Sequence, residues 1–231
     1  MSLAVVILAA GKGTRMKSAL PKVLHEVAGK AMVQHVVDAA GSLNADNTVV
    51  VYGHGGDQVQ ATVTGNNLQW AEQAEQLGTG HAVAQAMPSV KEDIVLVLYG
   101  DVPLIRPETL RDFVECVDDK TLALMTLTLD DPNGYGRIVR DGQNNVQRIV
   151  EQKDATENEL GIQEINTGIL ACTRSFLADC LPKLSSNNAQ GEYYLTDVIA
   201  MAVQSGLTVE TLQPQFAWEV DGVNDRVQLS R

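Results

Sequence analysis

The segment Ile94-Val95-Leu96-Val97-Leu98 is apolar at every position and rich in β-branched residues, so it has no polar face to offer to water. A run of this length reads as a strand buried on both faces, and such strands occur in sheets covered by helices on each side. It does not stand alone. Residues 3–9 (Leu3-Ala4-Val5-Val6-Ile7-Leu8-Ala9) and 48–52 repeat the pattern, and 68–71 is a shorter version. Between these runs, residues 32–40, 58–63 and 79–87 carry helical spacing. Pro107 and Glu108 open a further helix, because proline suits the first helical position and an acid suits the positive helix end. From residue 121 the runs 122–129, 136–140, 146–152 and 165–172 alternate internally and are expected to be antiparallel additions to the sheet. Helices at 175–181 and 193–204 and a strand near 208–212 follow. The expected fold is α/β, a Rossmann-like, mixed but mostly parallel sheet with helices on both faces.

A chain of 231 residues, 45% hydrophobic and 20% charged, is long enough for one domain with a full core. No apolar stretch approaches the roughly 20 residues of a membrane span, and no charged region precedes the first one, so neither membrane nor secretion is expected. Cys116, Cys172 and Cys180 lack CxxC spacing and are expected as ordinary buried or half-buried thiols in a reducing, cytoplasmic compartment. A net charge of −12 argues against a nucleic-acid partner, which would need a basic face. One segment opposes that sign: Lys12, Arg15, Lys17, Lys22 and Lys30 lie within twenty residues with Glu26 as the single acid. On composition alone this is as well explained by a solvated basic turn as by an anion site.

The basic segment begins in a glycine loop directly after the first strand, Leu8-Ala9-Ala10-Gly11-Lys12-Gly13-Thr14-Arg15-Met16. Such a loop can bring backbone N–H groups against phosphates, since glycine adopts positive φ cheaply and holds no side chain in the way. A dinucleotide fingerprint would need a third glycine where Met16 stands, and a Walker A loop needs Gly-Lys-Ser/Thr, which is absent. The wider pattern, Gly11-x-Gly13-Thr14-Arg15-Met16 followed by Pro21-Lys22, resembles the signature of nucleotidyltransferases that activate sugar 1-phosphates. Further motifs extend the resemblance in order along nearly the whole chain: Gln73-Ala74-Glu75-Gln76-Leu77-Gly78-Thr79-Gly80-His81-Ala82, Leu98-Tyr99-Gly100-Asp101-Val102-Pro103-Leu104, Gly134-Tyr135-Gly136-Arg137-Ile138, Glu164-Ile165-Asn166-Thr167-Gly168-Ile169, and Gly191-Glu192-Tyr193-Tyr194-Leu195-Thr196-Asp197. Together they resemble the uridyltransferase domain of the bacterial bifunctional uridyltransferase–acetyltransferase family, whose domain has the nucleotide-diphospho-sugar transferase fold.

The resemblance implies transfer of UMP from UTP to N-acetylglucosamine 1-phosphate, giving a UDP-sugar for cell-wall and lipopolysaccharide precursors, with Mg²⁺ as cofactor. It places Arg15 on the departing pyrophosphate, Lys22 near the α-phosphate, and Asp101 with Asn224 as metal ligands. Leu8, Ala9, Ala10, Gly11, Gln73, Gly78 and Thr79 are implied on the nucleotide; Tyr99, Gly100, Gly136, Glu151, Asn166, Tyr194 and Thr196 are implied on or near the sugar. On their own residues several of these read more plainly. Asn224 would be a cap or turn residue, Gln73 a surface amide and Glu151 a solvent-facing acid at a strand end. Asp101 is the exception, because it follows a central parallel strand at the sheet edge where ligands of α/β folds collect.

Two alternatives stay open: a uridylyl- or thymidylyltransferase for another sugar 1-phosphate, and a non-catalytic domain that senses a nucleotide sugar. Residues 1–221 are expected to form the transferase domain, and 223–231 the start of a helix, with Val223 and Val227 four apart. By resemblance, the segment from 222 leads toward a β-helix acetyltransferase domain to which the family's homotrimer is attributed. This chain is therefore expected to be a truncated form rather than the alternative, a single-domain homologue, and, alone, a monomer.

Overall fold

The computed structural model describes residues 1–230. In chain order its elements are β1 (Leu3–Leu8), β2 (Glu26–Val27), β3 (Lys30–Ala31), α1 (Met32–Gly41), β4 (Asn47–Tyr52), α2 (Gly56–Thr62), β5 (Leu68–Glu72) and α3 (Thr79–Ala86). Then come β6 (Ile94–Tyr99), α4 (Pro107–Glu115), β7 (Thr121–Thr128), β8 (Arg137–Arg140), β9 (Val146–Val150), α5 (Glu157–Leu160) and β10 (Glu164–Thr173). The last are α6 (Arg174–Cys180), α7 (Asp197–Gln204), β11 (Thr208–Leu212) and α8 (Arg226–Leu229).

The main sheet runs β11-β7-β10-β6-β1-β4-β5, with the β8–β9 hairpin attached to β10. β1 pairs in parallel with β4 and β6, and β4 in parallel with β5. Period-two alternation divides the core between the two faces. Val5, Ile7, Val50 and Leu96 pack with Val33 and Val36 of α1 and Leu110 and Phe113 of α4. Ala4, Val6, Val49 and Val95 pack with Val83 of α3, Leu177 of α6 and Ile199 of α7. Helices therefore cover both faces, as unbroken apolar strands require.

Two expectations need correction. The strand expected at 122–129 is not antiparallel to the body of the sheet. β10 is antiparallel to both β6 and β7, so β7 runs with β6, and β11 is parallel to β7. One reversed strand inserted between parallel neighbours produces the mixed pattern. The helix expected from 193 starts at Asp197 instead, because Tyr193 spends its backbone elsewhere: its N–H donates to Leu77 O (2.8 Å) and its carbonyl accepts from Gly80 N (2.8 Å). The segment 223–231 is helical from Arg226 to Leu229, with the Asp225 carboxylate capping Val227 and Gln228 N–H at 2.9 Å each; Arg231 lies outside the described residues. α5 escaped the periodicity argument, being a single turn fixed by the Thr156/Glu159 capping box. Cys172 and Cys180 are buried free thiols and Cys116 is half-buried. Among the described residues, no helix is long and apolar enough to cross a membrane.

Candidate active site

Parallel pairing of β1 with β6 brings Leu8 opposite Tyr99, and Gly100 N–H donates to Leu8 O at 2.9 Å. The glycine loop after β1 and the turn carrying Asp101 after β6 are thus neighbours at the carboxyl edge of the sheet. Gly13 sits at φ 58°, and a Cβ there would lie 2.5 Å from the Lys22 Cβ. The loop backbone is packed directly on the lysine, which only glycine permits. At Gly11 a Cβ would meet nothing within 4 Å, leaving open space beside the backbone.

Four side chains from three segments far apart in sequence converge here. Lys22 Nζ forms an ion pair with Asp101 Oδ2, with both side chains largely buried. Its ammonium also donates to Asn224 Oδ1 at 3.2 Å, and Arg15 donates to the same oxygen at 2.8 Å. Val223 N–H holds the Asp101 carbonyl at 2.9 Å, which docks the 222–226 segment onto the Asp101 turn.

Beside this cluster is a cavity of about 310 Å³ lined by Leu8, Ala9, Ala10, Gly11, Lys22, Gln73, Gly78, Thr79, Tyr99 and Asp101. Gln73 is not a surface amide: it is buried, and its Nε2 donates to Gly78 O (2.9 Å) and faces His81 Nδ1 (3.1 Å). This orientation commits the donor half of the amide to the protein. Gly78 has φ 114°, and a Cβ there would lie 2.6 Å from Tyr193 O. Leu195 N–H donates to Thr79 Oγ1 at 3.1 Å, so the start of α3 and the 193–195 loop are laced together.

Glu151, Tyr194 and Thr196 line a second cavity of about 290 Å³. Thr196 Oγ1 donates to Glu151 Oε1 at 3.0 Å, and a Cβ on Gly136 would lie 3.4 Å from Glu151 Oε2. Asn166 N–H donates to Gly136 O (2.9 Å), while its side chain accepts from Gly168 N–H (3.0 Å) within its own turn. Gly168, at φ 91°, lets that turn pass the Tyr99 ring; a Cβ there would lie 2.5 Å from Tyr99 Cε2. The Tyr194 hydroxyl accepts from Gln190 Nε2 (2.9 Å) and donates to Asp154 Oδ2 (3.3 Å), so it faces a protein carboxylate. Gly100, Gly136, Asn166 and Asn224 line neither cavity and border them through these contacts.

Burial and the negative charges of Glu151 and Asp101 push the Tyr99 phenol well above its ordinary value, so it stays protonated. Burial also raises Glu151; the Thr196 hydrogen bond opposes this, and Asp154, Asp197 and Glu192 add to it. The sign of the linked stability follows. A carboxyl whose folded pKa lies above its unfolded value of about 4.3 destabilises the fold progressively as pH rises from that value through the raised one. Glu151→Gln, which keeps an acceptor for Thr196, is expected to raise the thermal midpoint at pH 7, with the gain disappearing below about pH 4. Paired melts at the two pH values check this, and a midpoint unchanged or lowered at pH 7 would contradict it.

Sequence reading missed Lys12, Gln76 and Glu192, which also line the first cavity. All three fall inside motifs quoted for the resemblance, but nothing in their spacing distinguishes them from solvated neighbours. The Arg226 contacts were also illegible: its Nε donates to Met16 O at 3.0 Å across more than two hundred residues.

A glycine loop and a strand-end carboxylate thus flank a cavity at the carboxyl edge of a Rossmann-like sheet, the position where α/β folds collect their ligands. The chain belongs to the MobA-like NTP transferase domain family, which it matches over residues 5–187. Among curated relatives, it is 84% identical over all 231 of its residues to the bifunctional protein GlmU of Alcanivorax borkumensis. It is 60% identical over 229 residues to that of Marinobacter nauticus. The chain spans about half the length of these relatives, 51% and 50%. Solved structures share the nucleotide-sugar transferase fold. A UDP-glucose pyrophosphorylase complexed with UDP-glucose superposes with a TM-score of 0.73 at 16% identity, covering 92% of this chain and 91% of that one. The inositol-1-phosphate CTP transferase from T. maritima gives 0.72 at 18% identity, covering 97% and 90%.

Proposed function

We propose that this chain catalyses Mg²⁺-dependent transfer of UMP from UTP to N-acetylglucosamine 1-phosphate, releasing UDP-N-acetylglucosamine and pyrophosphate. The observation that carries the reading is the convergence of Arg15, Lys22, Asp101 and Asn224 beside a cavity walled by the glycine loop. A domain that only sensed a nucleotide sugar would have little use for two cations and two hard oxygen donors at one point. The family match and the 84% identity to a GlmU protein support the same reading.

The acceptor phosphate is a monoester with a second pKa of about 6, so at neutral pH its oxygen is already a nucleophile and needs no general base. That oxygen attacks the α-phosphorus of UTP, a new P–O bond forms, and the bond to the β-phosphate oxygen breaks with pyrophosphate leaving. The protein contributes position and charge. Glycine-loop N–H groups hold the triphosphate, Lys22 neutralises charge at the α-phosphate and Arg15 at the departing pyrophosphate. Gln73, Gly78 and Thr79 border the space for the base. Glu151, held by Thr196, offers carboxylate oxygens to sugar hydroxyls, with Tyr99, Gly136 and Asn166 shaping its surroundings.

The donor set fits the cofactor. Asp101 Oδ2 and Asn224 Oδ1 both lie within hydrogen-bond reach of one ammonium, so a single cation can engage both. Among the described residues, no group of three or more His, Cys, Asp or Glu could hold a metal unaided. A hard cation at Asp101 and Asn224 would therefore complete its shell with phosphate oxygens and water, as Mg²⁺ does. When bound it would polarise the phosphoryl oxygens as a Lewis acid.

The test is pyrophosphate release from UTP with a panel of sugar 1-phosphates, with Mg²⁺ and with excess chelator. Release that is fastest with N-acetylglucosamine 1-phosphate and abolished by chelation is expected. Release with a different sugar alone would reassign the acceptor, and none with any sugar would favour the sensor.

A further inference from the structure

The 3₁₀ turn Thr14–Met16 that presents Arg15 has little of its own to hold it. It lies between Gly13 at φ 58° and Lys17 at φ 48°, and the latter is a left-handed conformation costly for a residue with a Cβ. Its local backbone bonds are Met16 N–H to Gly13 O (2.9 Å) and Lys17 N–H to Thr14 O (3.2 Å). The Met16 side chain is fully buried, which anchors one end, but among the described residues no backbone N–H donates to the carbonyls of Met16 and Lys17. Both are met by one guanidinium: Arg226 Nε donates to Met16 O at 3.0 Å, and its terminal nitrogen lies 3.5 Å from Lys17 O.

Arg226 is itself well placed to act as a clasp. It opens α8, which the Asp225 carboxylate caps. Two residues earlier, Asn224 accepts from Lys22 and Arg15 through Oδ1, and its own N–H donates to Gln228 Oε1 at 2.7 Å. Asn224 through Gln228 thus form one short unit that faces the reactive cluster with an amide and grips the back of the loop with a guanidinium.

We propose that Arg226 is a positioning residue: by holding the carbonyls of Met16 and Lys17 it keeps the loop folded so that Arg15 meets the triphosphate end of the nucleotide. This rests on the UTP reading of the site above. Because Arg226 reaches only the loop, its loss should fall on the nucleotide and spare the acceptor sugar. Arg226 is exposed, and methionine at this position keeps the length of the side chain and the α8 helix while removing every donor.

The experiment compares wild type, Arg226→Met and Arg226→Lys by equilibrium binding of UTP, by steady-state kinetics, and by limited trypsin digestion at Lys12, Arg15 and Lys17. Arg226→Met is expected to weaken UTP binding about three- to ten-fold, the range for losing one or two exposed hydrogen bonds. It should speed cleavage in the loop and leave KM for the sugar phosphate within about two-fold. Arg226→Lys, which retains one donor, should recover part of both losses. UTP affinity and loop cleavage unchanged in Arg226→Met would overturn the proposal, as would an effect confined to the sugar phosphate. A wild-type protein that binds UTP and shows the clasp effects but releases no pyrophosphate would refute the transferase reading and leave the clasp standing.

Discussion

Asp101→Asn is expected to lower kcat by on the order of 10²–10³-fold while leaving the fold intact. The substitution is isosteric, and the bond that docks the 222–226 segment here runs from Val223 N–H to the Asp101 backbone carbonyl, which the variant keeps. What it loses is the carboxylate that faces Lys22. The amide can still accept a hydrogen bond, so KM values should move less than turnover. Circular dichroism and a thermal melt establish the fold, and pyrophosphate release gives the rate. A variant with native melting and more than about a tenth of wild-type turnover would remove Asp101 from the reacting centre.

Lys22→Ala should cost a comparable factor in kcat, on the order of 10², and with every sugar phosphate tried. The reason is its position: the ammonium spans Asp101 and Asn224, while the base of the same side chain packs against Gly13 of the glycine loop. A second consequence separates this lysine from a merely structural one. Without the ammonium, the two oxygen donors have lost a competing cation, so the Mg²⁺ concentration needed for half-maximal rate should not rise. Were Lys22→Ala to raise only KM for the sugar phosphate and leave kcat alone, its assignment to the α-phosphate would be wrong.

The legible part of the fold was the part governed by local pattern. Unbroken apolar runs at 94–98 and 3–9 announced two-faced burial, and β6 and β1 are central strands with cores on both sides. The orientation of β7 was illegible because it depends on β10, a strand from far along the chain that pairs on both its edges. Tyr193 and Tyr194 carry helical spacing, but tertiary hydrogen bonds to Leu77 and Gly80 outbid the extra turn of helix. Within the site, Gly11, Gly13 and Asp101 could be read physically, since backbone approach and a strand-end carboxylate have sequence signatures. Asn224, Gln73 and Glu151 could not, because their environments are made by remote segments. Only resemblance to a family pointed to them.

The placement of β10 also fixes an order of assembly. β6 and β7 are separated in the sheet by a strand that begins at Glu164, so neither can complete its hydrogen bonding until that later segment has emerged from the ribosome. β1, β4, β5 and β6 need nothing beyond residue 99 to pair with one another. During synthesis the half of the sheet that carries the glycine loop can therefore form first, with the β6 edge open. A nascent chain halted between residues 128 and 164 would display the β10-facing edge of β6 and both edges of β7, whose partners β10 and β11 come later, an arrangement that invites edge-to-edge aggregation and chaperone capture.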